Sequence, residues 1–249
     1  RLRKTNGSVE PFGVKFWGVG NENWGCGGHM RPEYYADEYA RFATYMKMTD
    51  RSIRLVACGS CPPIPEWDER FLSTLRGKTH LVDYLALHIY SGWGMSATGY
   101  SDDDYYRLMG QIGIMDVHLA RAAGLCRAFS TTEHRIRPIL DEWGTWFREA
   151  TVESGLYQQS TMMDAVFAAL SFHMFHRHAD DLFMTNMAQT VNVLQALVLT
   201  EGAKMCTTPT YHVYDLFRGH REGICVEAAP EGDLPVVGGE GKVPMVSCS

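Results

Sequence analysis

Five apolar runs of strand length, each followed by a stretch of helical character, constrain this chain more than any other feature. They are "VKFWGVG" (14–20), "SIRLVACG" (52–59), "VDYLALHIY" (82–90), "RPILDEW" (137–143) and "DLFMTN" (181–186). Strands that alternate with helices pair in parallel through right-handed crossovers, and strands apolar along most of their length are covered on both faces. A barrel and an open doubly wound sheet both meet these conditions. The open sheet of a nucleotide binder carries G-x-G-x-x-G after its first strand, whereas here Gly18-Val-Gly20 is followed by Asn23 where the third glycine belongs. The expected fold class is α/β, of the (β/α)8 TIM-barrel type.

Residues 33–48 place Tyr35, Tyr39, Phe42 and Met46 on one face, with Pro32 at the first helical position. Ser101 and Asp104 have the spacing of a capping box, opening a helix that carries Leu108, Ile112 and Leu119 and is expected to stop at Gly124. Residues 160–178 repeat Met163, Phe167, Leu170 and Met174, and 188–200 repeat Val191, Leu194 and Val198, both at helical spacing. Beyond about residue 212 the chain turns rich in Gly, Pro and short β-prone runs. Residues 1–212 are therefore expected to be barrel and 213–249 the opening of an all-β unit.

In a barrel the reactive groups gather where the strand-to-helix loops converge, at the carboxyl ends of the strands. Four of the five runs end in polar or titratable side chains: Asn21-Glu22, His88-Ile89-Tyr90, Asp141-Glu142-Trp143, and Asn186 with Gln189 just after. An unpaired carboxylate is costly anywhere in an apolar strand, so a bias toward one end marks a site. Two carboxylates at the ends of separate strands are the equipment of glycoside hydrolysis, one acid for the leaving oxygen and one carboxylate to attack or to activate water. Glu22, flanked by Trp24 and the apolar strand, suits the acid. Glu142 needs hydrogen-bond donors such as Tyr90 to stay ionised.

Composition narrows the partners. Lys plus Arg total 23 against 29 Asp plus Glu, a net charge of -6 without a basic stripe, which disfavours nucleic acid and anionic membrane surfaces. No apolar stretch reaches the roughly 18 residues of a membrane span. The seven cysteines are odd in number and scattered, which favours a reducing, cytoplasmic setting, and Cys58-Gly-Ser-Cys61 reads as structural. His173, His176 and His178 with Asp180 and Asp181 form a ligand-type cluster and raise a metal-dependent hydrolase as a rival. No His-Glu-x-x-His pattern accompanies them, so neither metal nor cofactor is expected. The Asp102-Asp103-Asp104 run is explained as a dipole-favoured helix start.

"WGVGNENWGCGG", "LALHIYSG", "PILDEWGTWF" and "NMAQTVNVLQALVLTEG", followed by "TPTYHVYDLF", resemble the retaining α-L-arabinofuranosidases of glycoside hydrolase family 51, over about residues 12–220. The resemblance implies a (β/α)8 barrel of which the five runs are strands four to eight, with earlier strands preceding residue 1. It also implies that residues 213–249 begin a β-sandwich. Such a stretch alone would leave edge strands unpaired and apolar faces exposed, which weighs against turnover in isolation.

For the site, the resemblance implies Glu22 as acid/base and Glu142 as nucleophile. Asn21 would bond the sugar 2-hydroxyl, Tyr90 would orient the nucleophile, and His88, Trp146 and Gln189 would line the furanose subsite. Arabinose-containing glycans or oligosaccharides are the implied substrates and a hexamer the implied assembly. A related barrel endoglucanase or β-xylosidase is the alternative within the class, because acid and nucleophile are common to the clan. A non-catalytic carbohydrate-binding remnant is the alternative outside it.

Overall fold

The computed structural model describes residues 2–62, 64, 66–228, 236–237, 243–244 and 246–249. A short helix α1 (Leu2–Thr5) precedes five alternating strands and helices. These are β1 (Phe16–Val19), α2 (Pro32–Thr49), β2 (Arg54–Ala57), α3 (Glu66–Thr74), β3 (Tyr84–Ser91), α4 (Asp102–Phe129), β4 (Arg137–Thr145), α5 (Met162–Arg177) and β5 (Thr185–Met187). A hairpin of β6 (Val198–Glu201) and β7 (Lys204–Thr207) leads to α6 (Pro209–Leu216), and β8 (Val236–Val237) pairs with β9 (Val243–Pro244). The five main strands form one parallel sheet in the order β1-β2-β3-β4-β5, curled as half of a barrel.

Side chains alternate across each strand, and the burial pattern follows. Leu55, Ala57 and Leu85 pack outward against Tyr35, Tyr39, Phe71 and Leu72 of α2 and α3. Leu87, Leu140 and Trp143 join Leu108, Met115, Phe167 and Phe175 of α4 and α5. The intervening residues Val56, Ala86 and Ile139 form a smaller cluster of their own on the opposite face. At the amino-terminal ends of the strands, buried Asp83 accepts from Lys47 Nζ (2.8 Å) and from the Leu55 amide (2.8 Å), tying α2, β2 and β3 together.

Local chemistry sets the helix boundaries. Ser101 and Asp104 form the expected capping box of α4, and Thr161 and Asp164 form a second one at α5. Pro32 opens α2 as expected. Four expectations change. Gly124 does not end α4, which continues to Phe129; a mid-helix glycine costs about 1 kcal/mol, and burial of Leu119, Ala122, Ala123 and Cys126 outweighs it. Phe42 points to solvent and Ala43 takes its place on the buried face of α2. Residues 188–200 are not a helix. Asn192 and Leu194 adopt left-handed φ of 63° and 53°, and the segment ends in β6. The run 181–186 becomes a strand only from Thr185, with Phe183 already bonded to the Pro138 carbonyl.

The 212/213 boundary falls inside α6, and Tyr214 and Phe217 pack on Phe172 of α5 at ring separations of 4.9 and 5.0 Å. Residues 229–235, 238–242 and 245 of the expected all-β unit lie outside the described residues. Strands β1 and β5 are the two edges of the sheet. Beside the β1 edge Phe12, Val14, Phe16, Trp17 and Tyr45 are exposed, and Val14, Trp17, Tyr45, Met46 and Ile53 line a shallow apolar hollow.

Candidate active site

The loop after β1 carries Glu22. Gly20 precedes it with φ 106°, and Glu22 itself adopts φ 44°, a left-handed conformation that costs a non-glycine residue about 1–2 kcal/mol. The amides of Gly25 and Gly27 both donate to the Glu22 carbonyl, at 2.8 and 2.9 Å, and hold it there. A Cβ on Gly27 would lie 1.9 Å from the Asn21 carbonyl oxygen, so this tight loop requires glycine at that position. Asn23 anchors the loop beneath: its amide donates to Cys58 Sγ (3.4 Å) and its Nδ2 to the Gly27 carbonyl (3.2 Å).

Strand β4 brings Asp141 and Glu142 to the same place. Consecutive side chains of a regular strand point to opposite faces. Here the pairing of β3 with β4 jumps from Ala86↔Ile139 to His88↔Glu142, two residues on one strand against three on the other. This bulge lets both carboxylates reach His88. His88 Nδ1 lies 2.9 Å from Glu22 Oε1 and 3.4 Å from Glu142 Oε2, while Nε2 lies 3.3 Å from Asp141 Oδ1. Burial opposes charge on the His88 ring, but the bonds and charges of Asp141, Glu22 and Glu142 outweigh it and raise the imidazole to about 9. At neutral pH it is therefore an imidazolium set among three acidic side chains.

Each glutamate has one further donor. Tyr90 Oη donates to Glu142 Oε2 at 2.7 Å, with burial and that bond keeping the phenol protonated. Cys26 Sγ donates to Glu22 Oε2 at 2.8 Å, and the bond pushes the thiol above its ordinary range. Glu22, His88 and Glu142 each offer an atom within 4.8 Å of the others. That set could also hold a divalent cation, which would have to displace the His88 proton because a ligating imidazole is neutral.

The loop after β4 forms one wall. Trp146 packs edge-on to Tyr90 at 5.1 Å and donates from Nε1 to the Ala150 carbonyl (3.0 Å). A buried network fixes its base: Thr145 donates to Gln195 Oε1 (2.9 Å) from its amide and to Asp164 Oδ1 (2.7 Å) from Oγ1, while Gln158 Nε2 donates back to Thr145 Oγ1 (2.9 Å). Of the seven residues expected from the sequence, Glu22, His88, Tyr90, Glu142 and Trp146 thus form one continuous constellation. Asn21 and Gln189 flank it as exposed residues, and among the described residues neither side chain has a hydrogen bond. Asp141, Cys26 and the wall stack of Trp93 on Trp146 were not expected.

The histidine cluster does not converge. His173 bonds Ser247 Oγ (2.9 Å), His176 bonds Ser249 Oγ (2.7 Å) and stacks on His220, and His178 bonds Asp116 (2.5 Å). Asp181 is taken by Arg127 and Arg135.

A helix-flanked parallel sheet with a carboxylate pair at the carboxyl ends of its strands is the architecture of the barrel glycoside hydrolases. Residues 1–107 match the family described as "Alpha-L-arabinofuranosidase 1 domain", and 141–241 match "Alpha-L-arabinofuranosidase C-terminal domain". The chain is 38% identical to the intracellular exo-α-L-arabinofuranosidase of Bacteroides ovatus, over all of this chain and 49% of that protein. The crystal structure of a family 51 arabinofuranosidase from Xanthomonas axonopodis pv. citri superimposes with a TM-score of 0.85 at 32% identity, covering 97% of this chain and 50% of that one. The arabinose complex of the Thermotoga maritima α-L-arabinofuranosidase gives 0.72 at 29%, over 88% and 42%. The chain belongs to the α-L-arabinofuranosidases of glycoside hydrolase family 51. It spans about half the length of the curated relatives it matches.

Proposed function

We propose that this chain carries the reaction centre of a retaining, exo-acting α-L-arabinofuranosidase that removes terminal α-L-arabinofuranosyl residues from arabinose-containing glycans or oligosaccharides. The observation that supports this most directly is the approach of Glu22 and Glu142, with carboxylate oxygens within 4.8 Å of each other. Inverting enzymes hold their carboxyl groups about 6.5–9.5 Å apart to admit a water, whereas double displacement uses about 5–5.5 Å. Glu142, oriented by Tyr90, attacks the anomeric carbon while Glu22 gives its proton to the departing oxygen. Glu22 then takes a proton from water, which displaces Glu142 and releases arabinose with its configuration retained.

In this reading Asn21 bonds the sugar 2-hydroxyl, and His88, Trp146 and Gln189 line the furanose subsite. Residues 1–212 supply the barrel and 213–249 the start of a sandwich, a hexamer is the assembly, and no metal or cofactor takes part. A reducing, intracellular setting goes with it. The Bacteroides ovatus relative is named intracellular, the cysteines are free, and among the described residues no helix is long and apolar enough to cross a membrane.

The test is release of 4-nitrophenol from its α-L-arabinofuranoside together with calorimetric binding of L-arabinose. Replacing Glu142 by Ala should abolish turnover. Azide should restore it to Glu22→Ala and give an arabinosyl azide of the substrate's own configuration. An unchanged rate in Glu142→Ala, or a chain that neither turns over the glycoside nor binds arabinose, overturns the reading.

A further inference from the structure

An exposed indole, that of Trp93, stands on the outer side of the site wall. Its ring stacks on Trp146 at 4.6 Å and 24°, Trp146 meets Tyr90 edge-on at 5.1 Å, and Tyr90 bonds Glu142. An unbroken line of three aromatic rings therefore runs from the carboxylate pair to solvent. Trp93 is 62% exposed, so one ring face is covered by Trp146 while much of the rest is open.

The backbone presents this ring deliberately. Gly92 and Gly94 on either side have φ of 84° and 77°, and a Cβ on Gly92 would lie 2.7 Å from the Phe147 ring. The turn is closed by the Met95 amide on the Gly92 carbonyl (3.0 Å) and pinned by Gln111 Oε1, which accepts from the Gly92 amide at 2.8 Å. It is also tied to the loop after β4, where the Trp146 amide donates to the Ser91 carbonyl (2.8 Å) and the Arg148 amide to the Met95 carbonyl (3.0 Å). A loop this fully bonded holds an apolar side chain in water without needing it for the core. Flat, rigid, amphipathic rings bind ligands at low cost in conformational entropy.

We propose that Trp93 is a specificity-determining residue: the platform on which the second sugar ring of an oligosaccharide stacks when the first lies between Glu22 and Glu142. The substrate class it selects is a chain of pentose residues rather than a small aryl or alkyl glycoside. Trp93 stands one ring further out than Trp146, where the remainder of a glycan leaves the carboxylate pair. This inference rests on the proposed glycosidase function and adds the direction in which the substrate extends.

The full chain is titrated calorimetrically with L-arabinose and with α-1,5-linked arabinotriose. Wild type should bind arabinotriose at least tenfold more tightly than arabinose. Trp93→Ala should lower arabinotriose affinity about tenfold and leave arabinose affinity within twofold, while Trp93→Phe, which keeps a ring, should retain most of the gain. Equal arabinotriose affinity in wild type and Trp93→Ala, with arabinose binding intact in both, overturns the platform and leaves the glycosidase reading standing. Failure of the wild type to bind either sugar overturns the glycosidase reading, and the platform with it.

Discussion

Nδ1 of His88 lies 2.9 Å from Oε1 of Glu22, and the same nitrogen lies 3.4 Å from Glu142. A single ring nitrogen therefore lies within reach of both acidic side chains and ties the loop after β1 to β4. The folded protein raises His88 from 6.5 to about 9, so its stabilising effect is complete below about pH 6.5 and disappears as pH rises through 9. The rise corresponds to about 3 kcal/mol. Urea unfolding of the wild type should show stability falling across this interval, and His88→Gln should flatten that part of the profile. Parallel profiles would show that the imidazolium does not hold the pair.

The bond from Tyr90 Oη to Glu142 is a hydrogen bond to a charged acceptor, the kind that contributes about 1.5–3 kcal/mol. Tyr90→Phe keeps the ring that Trp146 packs on and removes only the donor. Turnover of an aryl α-L-arabinofuranoside should drop about tenfold to a hundredfold, mainly in kcat, with KM little changed. A change confined to KM would assign Tyr90 to substrate binding instead of to the orientation of Glu142.

The sheet and the two glutamates are legible in the sequence because apolar runs and strand-end charge are one-dimensional patterns. Glu22 and Glu142 each terminate an apolar strand, and nothing more than the alternation of strands with helices is needed to bring such ends together. Asp141 was not legible as a partner of His88. Its direction depends on the bulge opposite Ala86 and His88, which leaves no mark in composition. Residues 188–200 misled for the opposite reason: Val191, Leu194 and Val198 recur at helical spacing in a segment that is looped, with Asn192 Oδ1 accepting from the Thr200 amide (2.7 Å). Helix α3, with Trp67, Phe71 and Leu72 buried, is one of the helical stretches expected between the runs, but at nine residues it is too short for the periodicity to mark its bounds.

Asp68 gives an independent pH signature away from the site. Burial pushes its carboxyl from 3.8 up to about 7, against the bonds it accepts from the Ser60 amide and hydroxyl, both 2.7 Å, and the nearby charge of Arg121. The protonated form is favoured in the fold, so its contribution is complete below about pH 3.8 and lost as pH rises through 7. Asp68→Asn should therefore be more favourable, relative to wild type, at pH 8 than at pH 5 in thermal unfolding. A constant difference between the two proteins would place Asp68 in contact with water.

Cys26 is the least expected member of the site, an exposed thiol whose proton is committed to Glu22 Oε2 at 2.8 Å. That bond has a consequence for the reactivity of the thiol. It pushes the thiol pKa up, and only the thiolate is nucleophilic, so iodoacetamide at pH 7.5 should label Cys26 more slowly than its exposure suggests, and faster in Glu22→Gln. Labelling at equal rates in wild type and Glu22→Gln would break the link between the two side chains.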